Sequence, residues 1–222
     1  MHTFGHPCRI DEIVAICKDY NIDVIEDAAE SLGSWFKEQH TGTFGKFGTL
    51  SFNGNKTITT GGGGMILTNN EELGNLAKHL TTTAKIPHRW DFNHDMIGYN
   101  YRLTNLAAAL GCAQMEQLPN FINQKRLLAE DYAIFFKSVG IKYLAEPVNC
   151  SSNYWLNALI FENLTIQNSF LEFMNDHSVM TRPIWKLMNK LEMYKNCQCG
   201  SLQNTEWLAD RIVNIPSSVI LS

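Results

Sequence analysis

Asp23-Val24-Ile25-Glu26-Asp27 and, further along, Gly48-Thr49-Leu50-Ser51-Phe52 running into Asn53-Gly54-Asn55-Lys56 decide how this chain folds. The first is a short apolar run that ends in two acids, the pattern of a buried parallel strand whose carboxyl end meets a site. The second is an apolar strand that delivers a lysine into a loop of small and hydroxylic residues, Thr57-Ile58-Thr59-Thr60. A helix precedes the first strand, roughly Ile10 to Tyr20, with apolar residues at Ile10, Ile13, Val14 and Cys17. Strand and helix alternate, which predicts an α/β protein with a mostly parallel sheet.

The remaining chain extends the pattern. After four glycines (Gly61 to Gly64), the stretch from Gly64 to Thr68 reads as a strand, and Asn69-Asn70-Glu71-Glu72 caps a helix through Leu80. Residues 81–101 are loop-like and rich in His, Trp, Asn and Asp. A helix from Thr104 to Leu118 is expected to stop at Pro119, with a second from Phe121 to Val139 ended by Gly140. Tyr154 to Glu162 reads as a strand, Gln167 to His177 as a helix, and Val179 to Ile184 as extended chain. The expected division is a partial large domain over residues 1–140 and a small α+β domain over 141–222.

Bulk properties exclude several classes. The 222 residues carry a net charge of -4, with no basic run to grip nucleic acid or an anionic membrane. No apolar run approaches the roughly 20 residues of a membrane span, and the N-terminus does not read as a signal peptide. The six cysteines are scattered, and Cys197 with Cys199 is too little for a zinc site; reduced thiols in a cytoplasmic protein are the simpler reading, with no metal expected.

Most lysines are solvated, and Lys56 alone would be one of them. Held in a loop just past a strand, however, a desolvated amine has a depressed pKa and can add to an aldehyde. By pattern alone Asp27 is more readily a strand-end or helix-capping carboxylate than a working one. The two together say more than either. The four glycines lack the Gly-Lys-Ser/Thr of a phosphate loop, so they read as a tight backbone passage where side chains would collide. Tyr154 and Trp155 read as core.

These segments resemble the DegT/DnrJ/EryC1/StrS aminotransferases, fold-type I enzymes that use pyridoxal 5'-phosphate (PLP) to aminate nucleotide-linked keto-sugars. The likeness is carried by Val24-Ile25-Glu26-Asp27-Ala28-Ala29-Glu30, by residues 45–56, by Gly61-Gly62-Gly63-Gly64-Met65-Ile66 and by Ile97-Gly98-Tyr99-Asn100-Tyr101-Arg102. It continues through Thr181-Arg182-Pro183 to Asn214-Ile215-Pro216-Ser217. In wording, Asn-Gly-Asn-Lys and the four glycines are closest to members of the bacillosamine and legionaminic-acid pathways.

The resemblance implies that Lys56 forms the Schiff base with PLP and shuttles the substrate proton, and that Asp27 pairs with the pyridinium nitrogen. It assigns Ser51 to the cofactor phosphate and Asn100 to the phosphate of a neighbouring subunit's cofactor, hence a homodimer with shared sites. Glu30 departs from the Gln or His common in the family at the ring's phenolic oxygen; a glutamate donates there only when protonated. The loop with His88, Arg89, Trp90, His94 and Asp95 would border sugar or nucleotide, or else form a polar interface; His177 and Arg182 would be entrance or structural residues.

The implied reaction is transamination of a nucleotide-linked 4-keto-6-deoxy sugar, with glutamate as donor, for surface polysaccharide or sialic-acid-like sugars. The family's dehydratase branch carries His where Lys56 stands. Relatives begin well before residue 1, with a phosphate-gripping loop and several more strands, and continue beyond residue 219. The chain therefore reads as truncated, and the alternative is an inactive remnant that only binds or oligomerises.

Overall fold

The computed structural model describes residues 1–219. In chain order its principal elements are α1 (Ile10–Asp19), β1 (Ile25–Asp27), β2 (Trp35–Phe36), β3 (Gln39–His40), β4 (Phe47–Ser51) and β5 (Gly64–Leu67). There follow α2 (Glu71–Thr81), α3 (Asn105–Ser138), β6 (Lys142–Tyr143), β7 (Cys150–Ser151), β8 (Asn157–Ile160), α4 (Leu164–Asp176), β9 (Arg182–Pro183), α5 (Gln203–Ala209) and β10 (Ile212–Ile215). None of the helices among the described residues is long and apolar enough to cross a membrane.

The described residues form two compact units, residues 1–123 with 146–155, and residues 124–145 with the chain from 156 onward. The expected boundary at Gly140 is thus placed differently. The division falls inside α3, and the segment 146–155 returns to the first unit, where β7 pairs with β2.

In the first unit the central sheet has the order β1-β4-β5. β1 runs parallel to β4, as the alternation of helix and strand predicts, but β5 is antiparallel to β4. The sheet is therefore mixed rather than mostly parallel. The reason is local: the loop after β4 folds straight back, closed by Phe52 N–H to Gly63 O at 3.0 Å, and without a crossover only antiparallel pairing is open to it. Ala28, Leu50, Phe52, Ile58 and Leu118 form the core beneath, with Leu32, Leu67, Phe121 and Ile122 packed on it.

Two expectations need correction here. Side chains alternate along a strand, so Ile25 and Asp27 share one face of β1 and Glu26 the other. It is Glu26 that is buried, at 2 % exposure, while Ile25 on this edge strand is 67 % exposed. Nor does Pro119 end a helix: α3 runs through it as one element. Proline costs the helix one hydrogen bond and some ring crowding. Leu118 before it and Phe121 and Ile122 after it all pack on the core, which keeps the chain helical on both sides.

Asn70 caps α2 as the sequence predicts, its side chain accepting Leu73 N–H at 3.0 Å. In the second unit a four-stranded sheet of order β6-β8-β10-β9 is antiparallel throughout. Its core joins Phe136, Leu159, Phe161, Val213 and Ile215. The strand expected over 154–162 shortens to β8, because residues 154 and 155 lie with the first unit.

Candidate active site

The parallel register aligns Glu26 with Gly48 and Asp27 with Thr49, so Asp27 and Ser51 both stand at carboxyl ends of neighbouring strands. Asp27 is exposed, and its Oδ1 accepts the Ala29 N–H at 3.1 Å, a turn that fixes where the carboxylate leaves β1. The Ser51 hydroxyl oxygen accepts Asn53 N–H at 3.3 Å, which leaves its proton free to be donated.

Behind Asp27, Glu26 anchors the strand. Its carboxylate accepts backbone N–H groups from Gly42 (2.9 Å), Phe44 (2.6 Å) and Gly45 (2.8 Å), and lies 3.0 Å from His2 Nε2. Burial by itself would raise the Glu26 pKa, but the hydrogen bonds from His2 and the three backbone groups outweigh it and hold the carboxyl below its ordinary range. His2 Nδ1 accepts the Cys8 N–H at 3.2 Å, and its backbone N–H reaches Asp27 O at 3.1 Å.

Lys56 sits in a turn closed by its own N–H to Asn53 O at 3.0 Å. Its side chain is only 14 % exposed, and Nζ lies 3.9 Å from the centre of the Trp155 ring and 3.8 Å from Glu30 Oε1. Burial pushes the amine below the ordinary lysine pKa, against the opposing pull of the Glu30 and Asp27 charges. Glu30 is itself buried, and its Oε2 accepts Phe4 N–H at 2.8 Å. Burial raises its pKa, the nearby Asp27 charge adds to that, and the Phe4 N–H and Lys56 only partly offset them. A half-buried amine and a buried carboxyl are thus each moved toward the neutral form, a pattern enriched at functional sites.

The structure therefore brings Lys56 and Glu30 together, with Asp27 within electrostatic reach of both. Asn100 lies in the loop between α2 and α3, where its Oδ1 accepts from Arg102 and its backbone bridges to Thr82. The same loop holds His94 against Thr83 O at 2.7 Å and Asp95 against His79 Nε2 at 2.6 Å. Trp90, Phe92, Ile97, Tyr99 and Tyr101 stand exposed from it. In the second unit the His177 ring lies tilted against Phe173, centres 4.2 Å apart, and Arg182 reaches the Met180 sulfur. The glycine passage is tight at two of its four residues: a Cβ at Gly64 would lie 2.3 Å from Leu50 O on β4, and one at Gly63 2.7 Å from Leu103, whereas Gly61 and Gly62 have open space around them.

Sequence reasoning missed Phe4, Asn153 and Trp155. Asn153 is fully buried and ties the lysine loop to the turn after β1. Trp155 Nε1 donates to Asn55 O at 2.6 Å from 100 residues away in sequence. No local pattern carries a contact of that range.

The sequence profile of the DegT/DnrJ/EryC1/StrS aminotransferase family matches residues 1–222. The chain belongs to this family. Within it, the GDP-perosamine synthase of Escherichia coli O157:H7 is 37 % identical over 222 residues, covering all of this chain and 60 % of that protein. The crystal structure of the aminotransferase TlmJ from Streptoalloteichus hindustanus superposes with a TM-score of 0.93 at 25 % identity, over all of this chain and 60 % of that one. An E. coli GDP-4-keto-6-deoxy-D-mannose-3-dehydratase with bound hydrated PLP matches at a TM-score of 0.87, 24 % identity, over 99 % of this chain and 62 % of its own; at that identity the likeness speaks to the fold alone. The family member described here spans about 60 % of the length of these relatives.

Proposed function

We propose that the chain is the lysine-bearing part of a PLP-dependent aminotransferase that aminates a nucleotide-linked 4-keto-6-deoxy sugar with an amino-acid donor, glutamate. The observation that carries this reading is the half-buried Lys56 amine in the loop after β4, 3.8 Å from Glu30 and in the field of Asp27 at the carboxyl end of β1. The relatives named for GDP-perosamine synthesis support a nucleotide-sugar substrate, and the family supports the cofactor.

These residues fit PLP. Bound there, it supplies an aldehyde carbon for the amine and a ring that takes up the electrons of a broken substrate C–H bond. Lys56 must be neutral to attack, and burial favours that form. The same amine, when not bound to the cofactor, would take the substrate proton and return it. Asp27 would hold a proton on the pyridine nitrogen, and the Ser51 hydroxyl would donate to the phosphate. Glu30 would face the phenolic oxygen, and burial, which raises its pKa, favours the protonated form that a donor there would need. Asn100 would serve the phosphate of a second copy in a homodimer, with the exposed aromatics of its loop at the interface. The product feeds polysaccharide or sialic-acid-like sugar synthesis in the cytoplasm, and the free cysteines suit that compartment.

The test is trapping. Protein incubated with PLP, reduced with borohydride and digested should carry the pyridoxyl mass on Lys56, and its absorbance should shift when glutamate is added. An unlabelled Lys56 would leave only a binding or oligomer-forming remnant.

A further inference from the structure

The alternating pattern of residues 154–162 makes Trp155 a core residue, and at 5 % exposure it is one. Its contacts give it a second task. One face of the ring lies 3.9 Å from Lys56 Nζ, and the indole N–H is spent on Asn55 O at 2.6 Å, the carbonyl just before the lysine. We propose that Trp155 is a positioning residue for Lys56, holding the amine on its ring face and the amine's loop through its indole N–H. The proposal rests on the reading of Lys56 as the reacting amine and deepens it.

A neighbouring side chain makes the arrangement rigid. Asn153, fully buried, donates through Nδ2 to Glu30 O (2.9 Å), Leu32 O (2.9 Å) and Thr57 Oγ1 (3.1 Å), while its Oδ1 accepts Trp155 N–H at 2.8 Å. The residues on either side of Lys56 are thus tied to one segment, Asn55 by Trp155 and Thr57 by Asn153. The same Asn153 amide holds the backbone of Glu30. Amine, opposing carboxylate and ring are referred to a common frame, which is what a reacting amine needs if its position is to be held within a fraction of an ångström. Any buried indole N–H needs an acceptor; that the acceptor is the carbonyl before Lys56, and that the amine lies on the ring face, goes beyond filling space.

The experiment reads the contact without cofactor. A charged amine against an indole quenches its emission and a neutral amine does not. Glu30 and Asp27, the charged groups facing Lys56, both favour its charged form. Tryptophan emission of the wild-type protein, less that of W155F, should therefore rise as pH climbs through the Lys56 titration, followed separately by acetic anhydride labelling. The step should vanish in K56M. In W155F, amide exchange of the 53–60 peptide should speed up roughly tenfold, the value of one lost hydrogen bond, with α4 unchanged.

A difference signal that is flat through the titration, or a step that survives in K56M, overturns the ring contact. Unchanged exchange over 53–60 overturns the anchoring, and with either result the proposal fails. Should W155F not fold, the comparison of wild type with K56M decides it alone. Absence of a trapped PLP adduct would sink the proposed function and leave these readouts standing.

Discussion

The Lys56 amine lies 3.8 Å from Glu30 Oε1, while Oε2 of the same carboxylate is pinned by the Phe4 N–H at 2.8 Å. A carboxylate fixed at one oxygen cannot swing after the amine, so the pair meets at one geometry. Each partner lowers the cost of the other's charge, and burial works against both charges.

The first prediction concerns that balance. In Glu30→Gln the shape remains and the charge goes, so burial acts on Lys56 with only Asp27 opposing it. The Lys56 pKa should fall further below the ordinary lysine value. Acetylation of Lys56 against pH, measured by mass spectrometry relative to exposed Lys18, should reach its midpoint at lower pH than in the wild type. An unmoved or higher midpoint would mean the two groups are not coupled.

Glu26 governs the second. Glu26→Ala leaves three backbone N–H groups and His2 without their acceptor in a buried place, a loss of about 3–5 kcal/mol. The carboxyl's folded pKa is depressed, so its stabilisation is present at neutral pH and lost as pH falls below 4.5 through the folded value. Urea unfolding should show a large gap between wild type and variant at pH 7 that narrows on acidification through that range.

The acid-tipped strand, the lysine loop and the Asn70 cap were all legible because each is written in neighbouring residues. The face of β1 was not. Alternation tells which residues share a face, but the buried one is chosen by N–H donors at residues 42–45, which no reading of residues 23–27 contains. Pro119 misled in a related way: the helical propensity lost at one residue is local, while the packing of Leu118, Phe121 and Ile122 that overrides it is not. Trp155 reaches the lysine only because 146–155 folds back into the first unit.

His6 gives the third prediction. Both ring nitrogens are buried without a hydrogen-bond partner among the described residues, and burial lowers the pKa to about 4 from 6.5, with Glu146 opposing. The unfolded chain therefore takes up a proton that the folded chain refuses between those values. Stability is unaffected above pH 6.5 and declines as pH falls toward 4, by roughly 3 kcal/mol at full extent. His6→Phe keeps the edge contact to Tyr154 and removes the titration. Its urea midpoint should match or exceed the wild type at pH 7 and exceed it clearly at pH 5; a variant equally acid-sensitive would show that His6 is not the cause.

The last prediction runs from the N-terminal turn to the lysine. Gly5 has φ +91°, and an added Cβ would lie 1.8 Å from Asn153 Oδ1 and 3.0 Å from Trp155 N. Its carbonyl also accepts the hydroxyls of Ser34 (2.7 Å) and Ser152 (3.0 Å), so the backbone cannot retreat without breaking both. Gly5→Ala therefore combines a left-handed backbone penalty with displacement of Asn153, roughly 2–5 kcal/mol together. Because Asn153 holds Thr57 and the backbone of Glu30, the damage should be directional. Amide exchange should rise over residues 53–60 and 28–34 more than in α2, whose cap and helix owe nothing to Asn153. Uniform acceleration across the first unit would instead mean that Gly5 supports the unit as a whole and has no particular hold on Lys56.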